Sequence, residues 1–263
     1  MIKSFHYVYG PVQSWRLGRS LGVDPLSCQF KVCNMDCIYC QLGKTKDFIQ
    51  ERKDYVSVSD LISEIERVPL GFIDYITFSG RGEPTLARNL GEMICAIKAI
   101  RREKVAVITN SSLLYRKDVQ DDLMTADFVL AKLDAVNQQM LNGIDGVCDV
   151  DYDQLIRGIG QFRERFKGKF ALQIMLIKDN IEYLKQLGAL AFLLNPHEVQ
   201  LNTPIRPCDQ EPLSRDTIQK AKKFFKNVDV ISCYGVPSEK TLPFDEKATI
   251  TRHGNYRQSR YIY

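Results

Sequence analysis

From residue 57 to residue 233 the chain alternates between short apolar runs of strand length and longer amphipathic runs of helix length. This alternation constrains the fold more than any other feature. Strands joined through helices run parallel, and the helices pack outside the sheet. SVSDLISEIERV (57–68) places Leu61, Ile62, Ile65 and Val68 on one helical face, with Ser57 and Asp60 in a capping-box arrangement. IDYITFSG (73–80) then reads as a buried strand, NLGEMICAIKAI (89–100) as helix, KVAVITNSS (104–112) as strand, KDVQDDLM (117–124) as a short helix and FVLAKLDA (128–135) as strand. DQLIRGIGQFRERF (153–166) repeats Leu155, Ile159, Phe162 and Phe166 at helical spacing, and FALQIMLI (170–177) follows as strand. IEYLKQLGALAFLL (181–194) and SRDTIQKAKKFF (214–225) are predicted helices, and EVQLNTPI (198–205) and VDVISC (228–233) predicted strands. An earlier strand is predicted at LSCQFKV (26–32).

Six or seven parallel strands fit either an open doubly wound sheet or a barrel, and pattern alone does not separate the two. Both bind ligands at the carboxyl ends of their strands. Residues that carry chemistry should therefore follow strands, and they do. Cysteines follow the first strand, SGRGEPT (79–85) the second, TNSS (109–112) the third, KLDA (132–135) the fourth and LNTPIRP (201–207) the sixth. An inert α/β protein also has polar, glycine-rich loops at these places.

The chain has 263 residues, enough for one large α/β domain or two small ones. We expect residues 1–235 to form one domain and 236–263 a tail that packs on it or reaches a partner. The longest apolar run, LGALAFLL (187–194), is too short to cross a bilayer, so no membrane partner is expected. MIKSFHYVYG has no apolar signal region, which implies a cytoplasmic protein. Disulfides are rare in that compartment, so the eight cysteines are read as thiols or metal ligands. A net charge of +4 permits an acidic partner such as RNA without requiring one.

Cys33, Cys37 and Cys40 lie in KVCNMDCIYCQLGKT with the spacing C-x3-C-x2-C. A structural zinc site needs four ligands, usually from paired C-x2-C units. Cys28 would extend the run, but five residues of predicted strand separate it from Cys33 by roughly 16 Å, and it reads as a core residue. No downstream C-x2-C or H-x3-H completes a zinc site. A [4Fe–4S] cluster held by three thiolates fits better, and it leaves one iron open to a substrate or cofactor. Zinc is the alternative.

C-x3-C-x2-C with Tyr39 before the last cysteine resembles the radical S-adenosylmethionine superfamily. YGPVQSWRLGRSLGVD (9–24), QLG after the cysteines, FSGRGEPTL, TNSSLL, KLDA and LNTPIRP resemble its branch of Fe–S oxidoreductases related to tRNA wyosine synthase. Gln13 and Trp15 stand where that branch usually has proline and arginine. The resemblance implies a partial (β/α)6-type barrel with a short N-terminal segment and a C-terminal tail. It also implies a [4Fe–4S] cluster on Cys33, Cys37 and Cys40 whose open iron chelates S-adenosylmethionine. An electron from a reductant such as ferredoxin or flavodoxin would break the C5′–S bond, and the 5′-deoxyadenosyl radical would take hydrogen from the substrate, tRNA or a small metabolite. Tyr39 would meet the adenine through its backbone. Ser79, Gly80, Arg81, Gly82 and Glu83 would form the loop at the methionyl ammonium, with Glu83 ordering it. Asn110 and Ser111 would face the ribose or carboxylate, and Asn202 and Thr203 the adenine.

Lys132 and Asp134 share one strand face and are candidate catalytic groups, with a structural ion pair as the alternative. Arg206, between Pro204 and Pro207, is a candidate clamp for a carboxylate or phosphate, or a loop-ordering cation. Wyosine synthase carries a second cluster on cysteines ahead of its radical motif. No cysteine precedes Cys28, so that cluster and its pyruvate-condensing activity are not expected. Cys95 reads as core, and Cys148, Cys208 and Cys233 fall near the predicted rim, where a second metal site is the open question. IDGVCDVDYD (144–153) lacks an EF-hand's glycine and glutamate and reads as a solvated loop, and His6, His197 and His253 read as structural. Beyond residue 236, Lys240, Lys247, Arg252, Arg257 and Arg260 interleave with Tyr256, Tyr261 and Tyr263, a composition that suits RNA or a tail across the barrel mouth. Besides the radical enzyme, an activase that modifies a protein partner and a non-catalytic Fe–S or zinc-binding protein are the other function classes.

Overall fold

The computed structural model describes residues 4–235 and 241–253. An antiparallel hairpin of β1 (Val8–Ser14) and β2 (Gly18–Val23) starts the sheet. The chain then adds β3 (Tyr75–Phe78), β4 (Lys104–Thr109), β5 (Phe128–Lys132), β6 (Lys169–Met175), β7 (Glu198–Asn202) and β8 (Asp229–Ser232), each parallel to the one before. The eight strands lie in sequence order and curl into a half-barrel with β1 and β8 at its edges. Helices α1 (Val58–Ile65), α2 (Leu90–Ile100), α3 (Lys117–Leu123), α4 (Gln138–Met140), α5 (Tyr152–Arg165), α6 (Leu184–Leu194) and α7 (Arg215–Ala221) connect the strands, and α8 (Glu246–His253) follows the last. None of the described helices is long and apolar enough to cross a membrane.

The helices form where apolar periodicity and caps agree. The Ser57 hydroxyl accepts the Asp60 N–H at 3.1 Å, and Leu61 and Ile65 are fully buried. Leu155, Ile159 and Phe162 do the same for α5, behind an Asp151 cap. Cys95 is exposed on α2, contrary to expectation, because Leu90, Met93, Ile94 and Ile97 form the buried stripe and residue 95 turns away from it.

LSCQFKV is not a strand. The first parallel strand is β2, eight residues upstream in its start, and Cys28 is half-buried in a loop with its sulfur donating to the Leu26 carbonyl. Four glycines and prolines hide the hairpin's pattern in the sequence, at Gly10, Pro11, Gly18 and Gly22. Gly22 has a steric reason: a Cβ there would lie 2.1 Å from the ring of Tyr9, its partner on β1. Residues 241–253 dock on the same hairpin. The Phe244 N–H donates to the Gly10 carbonyl at 2.7 Å, and the Gly10 N–H to the Thr249 hydroxyl at 2.9 Å. Lys247 and Arg252 lie on α8, whereas Lys240, Arg257, Arg260, Tyr256, Tyr261 and Tyr263 lie outside the described residues.

Strand alternation divides the barrel interior into two levels. Ala106, Phe128, Leu130 and Ala171 pack with Leu17 into an apolar plug. Two residues further along the same faces, Ile108, Lys132 and Gln173 line a cavity at the carboxyl ends of the strands, with Ile108 also packed against the plug. Register pairs Lys132 with Gln173, and Met175 with Asn202, so cavity-lining residues cross β5, β6 and β7.

Candidate active site

The cysteine loop is held by the chain on three sides. The Val32 N–H donates to the Arg81 carbonyl at 2.9 Å, and the Glu83 N–H to the Val32 carbonyl at 3.0 Å. The Asp36 and Ile38 N–H groups donate to Asp145 and Ile144 at 2.9 and 3.0 Å, and Ile49 returns to the Cys33 carbonyl at 3.1 Å. Cys33, Cys37 and Cys40 open onto one cavity of about 270 Å³. Burial and the nearby Glu83 carboxylate push the Cys33 thiol up to about 11, and burial raises Cys37 despite the neighbouring Lys132. Burial pulls the Lys31 ammonium down, but Cys40, Cys33 and Cys37 more than offset it, and its pKa ends raised. Among the described residues no group of three or more His, Cys, Asp or Glu is gathered to hold a single metal ion, at this loop or around Cys148, Cys208 and Cys233. A four-iron cluster gives each thiolate its own iron and spreads its ligands wider than one ion does.

The loop after β3 divides in two. Gly82 and Glu83 reach the cavity wall, while Ser79, Gly80 and Arg81 stand behind it. The Ser79 hydroxyl pairs with the Tyr9 hydroxyl at 2.5 Å. Gly80, at φ +118°, packs where a Cβ would lie 2.6 Å from the Asp24 carboxyl carbon, and a Cβ on Gly82 would lie 1.6 Å from the Val32 carbonyl. Both glycines therefore let the chain approach itself closely. Burial raises the Glu83 pKa, and its carboxylate accepts from Thr85 N–H and hydroxyl, the Thr109 hydroxyl and the Asn110 N–H at 2.6–3.1 Å. These bonds tie the loop after β3 to the end of β4.

Asn110 lines the cavity at the end of β4. Ser111 does not: it turns back at φ +71°, and its hydroxyl donates to the Lys132 carbonyl at 2.8 Å. The Lys132 ammonium pairs with Asp145, lies 3.4 Å from Asp134 and sits 5.7 Å from the Tyr39 ring centre. Asp134 takes the Tyr39 hydroxyl and the Met175 N–H, the latter at 2.6 Å. Lys132 and Tyr39 line the main cavity, whereas Asp134 is buried beneath it. Asp145, expected in a solvated loop, is buried.

Asn202 and Thr203 line the far side. The Thr203 hydroxyl donates to the Leu176 carbonyl and accepts the Leu213 N–H, both at 2.9 Å, so it is a structural group. The Asn202 side-chain oxygen is buried and has no hydrogen-bond partner among the described residues. Arg206 reaches the rim, donates to the Gln41 side chain at 2.8 Å and meets the His253 ring at 2.5 Å, which ties the cysteine loop to α8. Burial, with Arg206 and Arg16 nearby, holds His253 well below the ordinary imidazole range. His197 accepts the Phe170 N–H at 2.9 Å, a structural role.

The sequence reading assigned no contact to Trp15, Arg16, Gln41, Ile108, Gln173 or Met175, which also line the cavity. Strand alternation from Lys132 and Asn202 would have reached Gln173 and Met175 through their register partners. Trp15 and Arg16 had no such signal, because they lie in the turn of the unrecognised hairpin.

A family model described as the radical SAM superfamily matches residues 29–191. A UPF0026 protein of Synechocystis is 37% identical over 82% of this chain and 81% of its own. A protein named GTPase Obg from Brachyspira hyodysenteriae is 40% identical over 83% of this chain, but the match spans only 33% of that protein. Among solved structures, Streptococcus suis SuiB bound to S-adenosylmethionine superposes with a TM-score of 0.60 over 77% of this chain and 48% of its own, at 14% identity. A TYW1 with a lysine–pyruvate adduct bound gives 0.55 over 80% and 74%, at 17% identity. These two likenesses establish the partial-barrel fold.

Proposed function

Since this chain belongs to the radical SAM superfamily and to the UPF0026 proteins, we propose that Cys33, Cys37 and Cys40 hold a [4Fe–4S] cluster at which S-adenosylmethionine binds. One observation carries this reading: the three cysteines line the same cavity as Asn202, whose buried side-chain oxygen has no hydrogen-bond partner among the described residues. The donors fit both groups. Three soft sulfurs on one loop suit iron, and a buried lone acceptor suits an exocyclic amine such as that of adenine. When bound, these groups would supply one-electron chemistry, the reductive cleavage of a sulfonium that leads to hydrogen abstraction from a substrate.

The chain's own residues then have definite tasks. Lys31 and Lys132 offset the negative charge of a thiolate-bound cluster. Glu83 fixes the loop after β3 against the end of β4. Lys132, held between Asp134 and Asp145, keeps its proton and acts as a fixed cation rather than as a nucleophile. Trp15, Arg16 and Arg206 at the cavity rim favour an anionic substrate with a flat ring, a description that covers a tRNA base and a nucleotide-like metabolite. The reductant is a one-electron carrier such as ferredoxin or flavodoxin.

Anaerobic reconstitution with iron and sulfide, followed by reduction with S-adenosylmethionine, tests the reading. 5′-Deoxyadenosine should form. Cys33→Ala, Cys37→Ala and Cys40→Ala should each abolish it, and Cys28→Ala should not. A fully reconstituted protein that leaves S-adenosylmethionine intact overturns the proposal. Salt-dependent binding of tRNA separates an RNA substrate from a metabolite.

A further inference from the structure

We propose that the Asn110 side-chain amide donates an N–H···S hydrogen bond to Cys33 and so raises the reduction potential of the cluster that Cys33 helps to hold. The inference rests on the cluster reading above. The Asn110 Nδ2 lies 3.7 Å from the Cys33 Sγ, within reach of a hydrogen bond to sulfur.

The orientation of the amide follows from its neighbours. The Asn110 Oδ1 receives the Ser112 N–H at 3.0 Å and the Ser112 hydroxyl at 2.6 Å. Both are donors, so that end of the amide is the carbonyl and the other end is the NH2. One of its hydrogens goes to the Asn34 Oδ1 at 2.8 Å, and the other faces the sulfur. Asn34 is fixed in turn, because its own NH2 donates to the Ser112 oxygen at 2.8 Å. The Ser112 hydroxyl has one hydrogen, already committed to Asn110, and can only accept from Asn34. The ring of Asn34, Ser112 and Asn110 closes with every donor matched to an acceptor.

The ring is also rigid. Asn34 and Ser112 are buried, and the Asn110 backbone N–H is held by Glu83 at 2.6 Å. Asn34 directly follows Cys33, so the same ring ties the donor to the loop that carries the sulfur. Reducing a cluster adds one electron, whose charge spreads over the sulfurs, and a preoriented N–H dipole stabilises the reduced form. Both amide hydrogens being committed, Asn110 is a positioning residue that acts through Cys33, not a grip on the ribose or carboxylate.

The test is the midpoint potential of the reconstituted full-length protein, followed by EPR during a redox titration without S-adenosylmethionine, alongside iron and sulfide content. At the wild-type midpoint, Asn110→Leu should lower the reduced-to-oxidised ratio about tenfold, ~59 mV for one electron. Asn110→Asp keeps the acceptor for Ser112 but turns an anionic oxygen toward the sulfur, and should lower the ratio further than leucine does. A purely structural role would not produce that order. Should neither variant hold a cluster, Ser112→Ala decides, since loosening the ring should shift the midpoint the same way by less. An unchanged or raised midpoint in a cluster-loaded variant overturns the inference. A wild-type protein that takes up no cluster overturns the cluster reading, and this inference falls with it.

Discussion

The phenol of Tyr39 donates to the carboxylate of Asp134, and this bond fastens the cysteine loop to the carboxyl end of β5. Tyr39 lines the cavity, and Asp134 is buried beneath it. Tyr39→Phe removes the donor and leaves the carboxylate oxygen to Lys132 alone. We expect a loss of about 1–2 kcal/mol of stability, read as a lowered melting temperature of the cluster-free protein.

Asp134 also predicts a pH dependence. Burial raises its pKa from 3.8 to about 6, and the Asp145 charge adds to the rise, while Lys132, the Tyr39 hydroxyl and the Met175 N–H oppose it. The folded chain thus binds this proton more readily than the unfolded chain. The contribution of Asp134 to stability is greatest below about pH 4 and declines as pH rises to about 6. The stability difference between wild type and Asp134→Asn should shrink over that window in urea titrations, and a difference that grows would contradict the assignment.

Asn202→Leu removes the unpartnered oxygen and nearly preserves volume. Binding of S-adenosylmethionine to the reconstituted protein should weaken by about tenfold, the worth of one good buried hydrogen bond. Calorimetric titration measures this, and the melting temperature should be unchanged or raised, since no described protein group donates to that oxygen.

Arg52 is nearly buried and joins the segment after the cysteines to two other parts of the chain. It pairs with Asp118 and Asp122 and donates to the Thr85 and Ala87 carbonyls, both at 2.8 Å. Arg52→Met leaves Asp122 half-buried without its cation. A loss of about 3 kcal/mol is expected, measurable by urea denaturation.

Thiol labelling separates the remaining cysteines. Cys95 and Cys148 are exposed and should react first with a thiol reagent in the native protein at pH 8. Burial pushes Cys233 up to about 11, which leaves a thiolate fraction on the order of one thousandth at that pH. Mass spectrometry of partially labelled protein should find Cys233 unmodified. Early modification of Cys233 would mean that β8 opens readily.

How much could be read in advance depended on the range of the interaction. Helix faces such as Leu155, Ile159 and Phe162 and the parallel strands β3 to β8 follow from local periodicity, so sequence inspection found them within a few residues. β1 and β2 escaped it because their pattern is broken by Gly22, whose missing side chain makes room for the ring of Tyr9 across the hairpin. The three cysteines announced themselves by spacing alone. The neighbours that hold and tune them did not.

By itself, the order of residues determined a parallel α/β sheet and the strand ends as the place for chemistry, and it singled out Cys33, Cys37 and Cys40 as candidate ligands. Those are properties of period and spacing, which need no partner to be defined. Tertiary structure alone decided that Glu83 is occupied, that Asn202 keeps an open oxygen, that Lys132 sits between Asp134 and Asp145, and that Asn110 faces the Cys33 sulfur. Each of these depends on which distant group reaches a given polar atom first, and a linear pattern does not encode that competition.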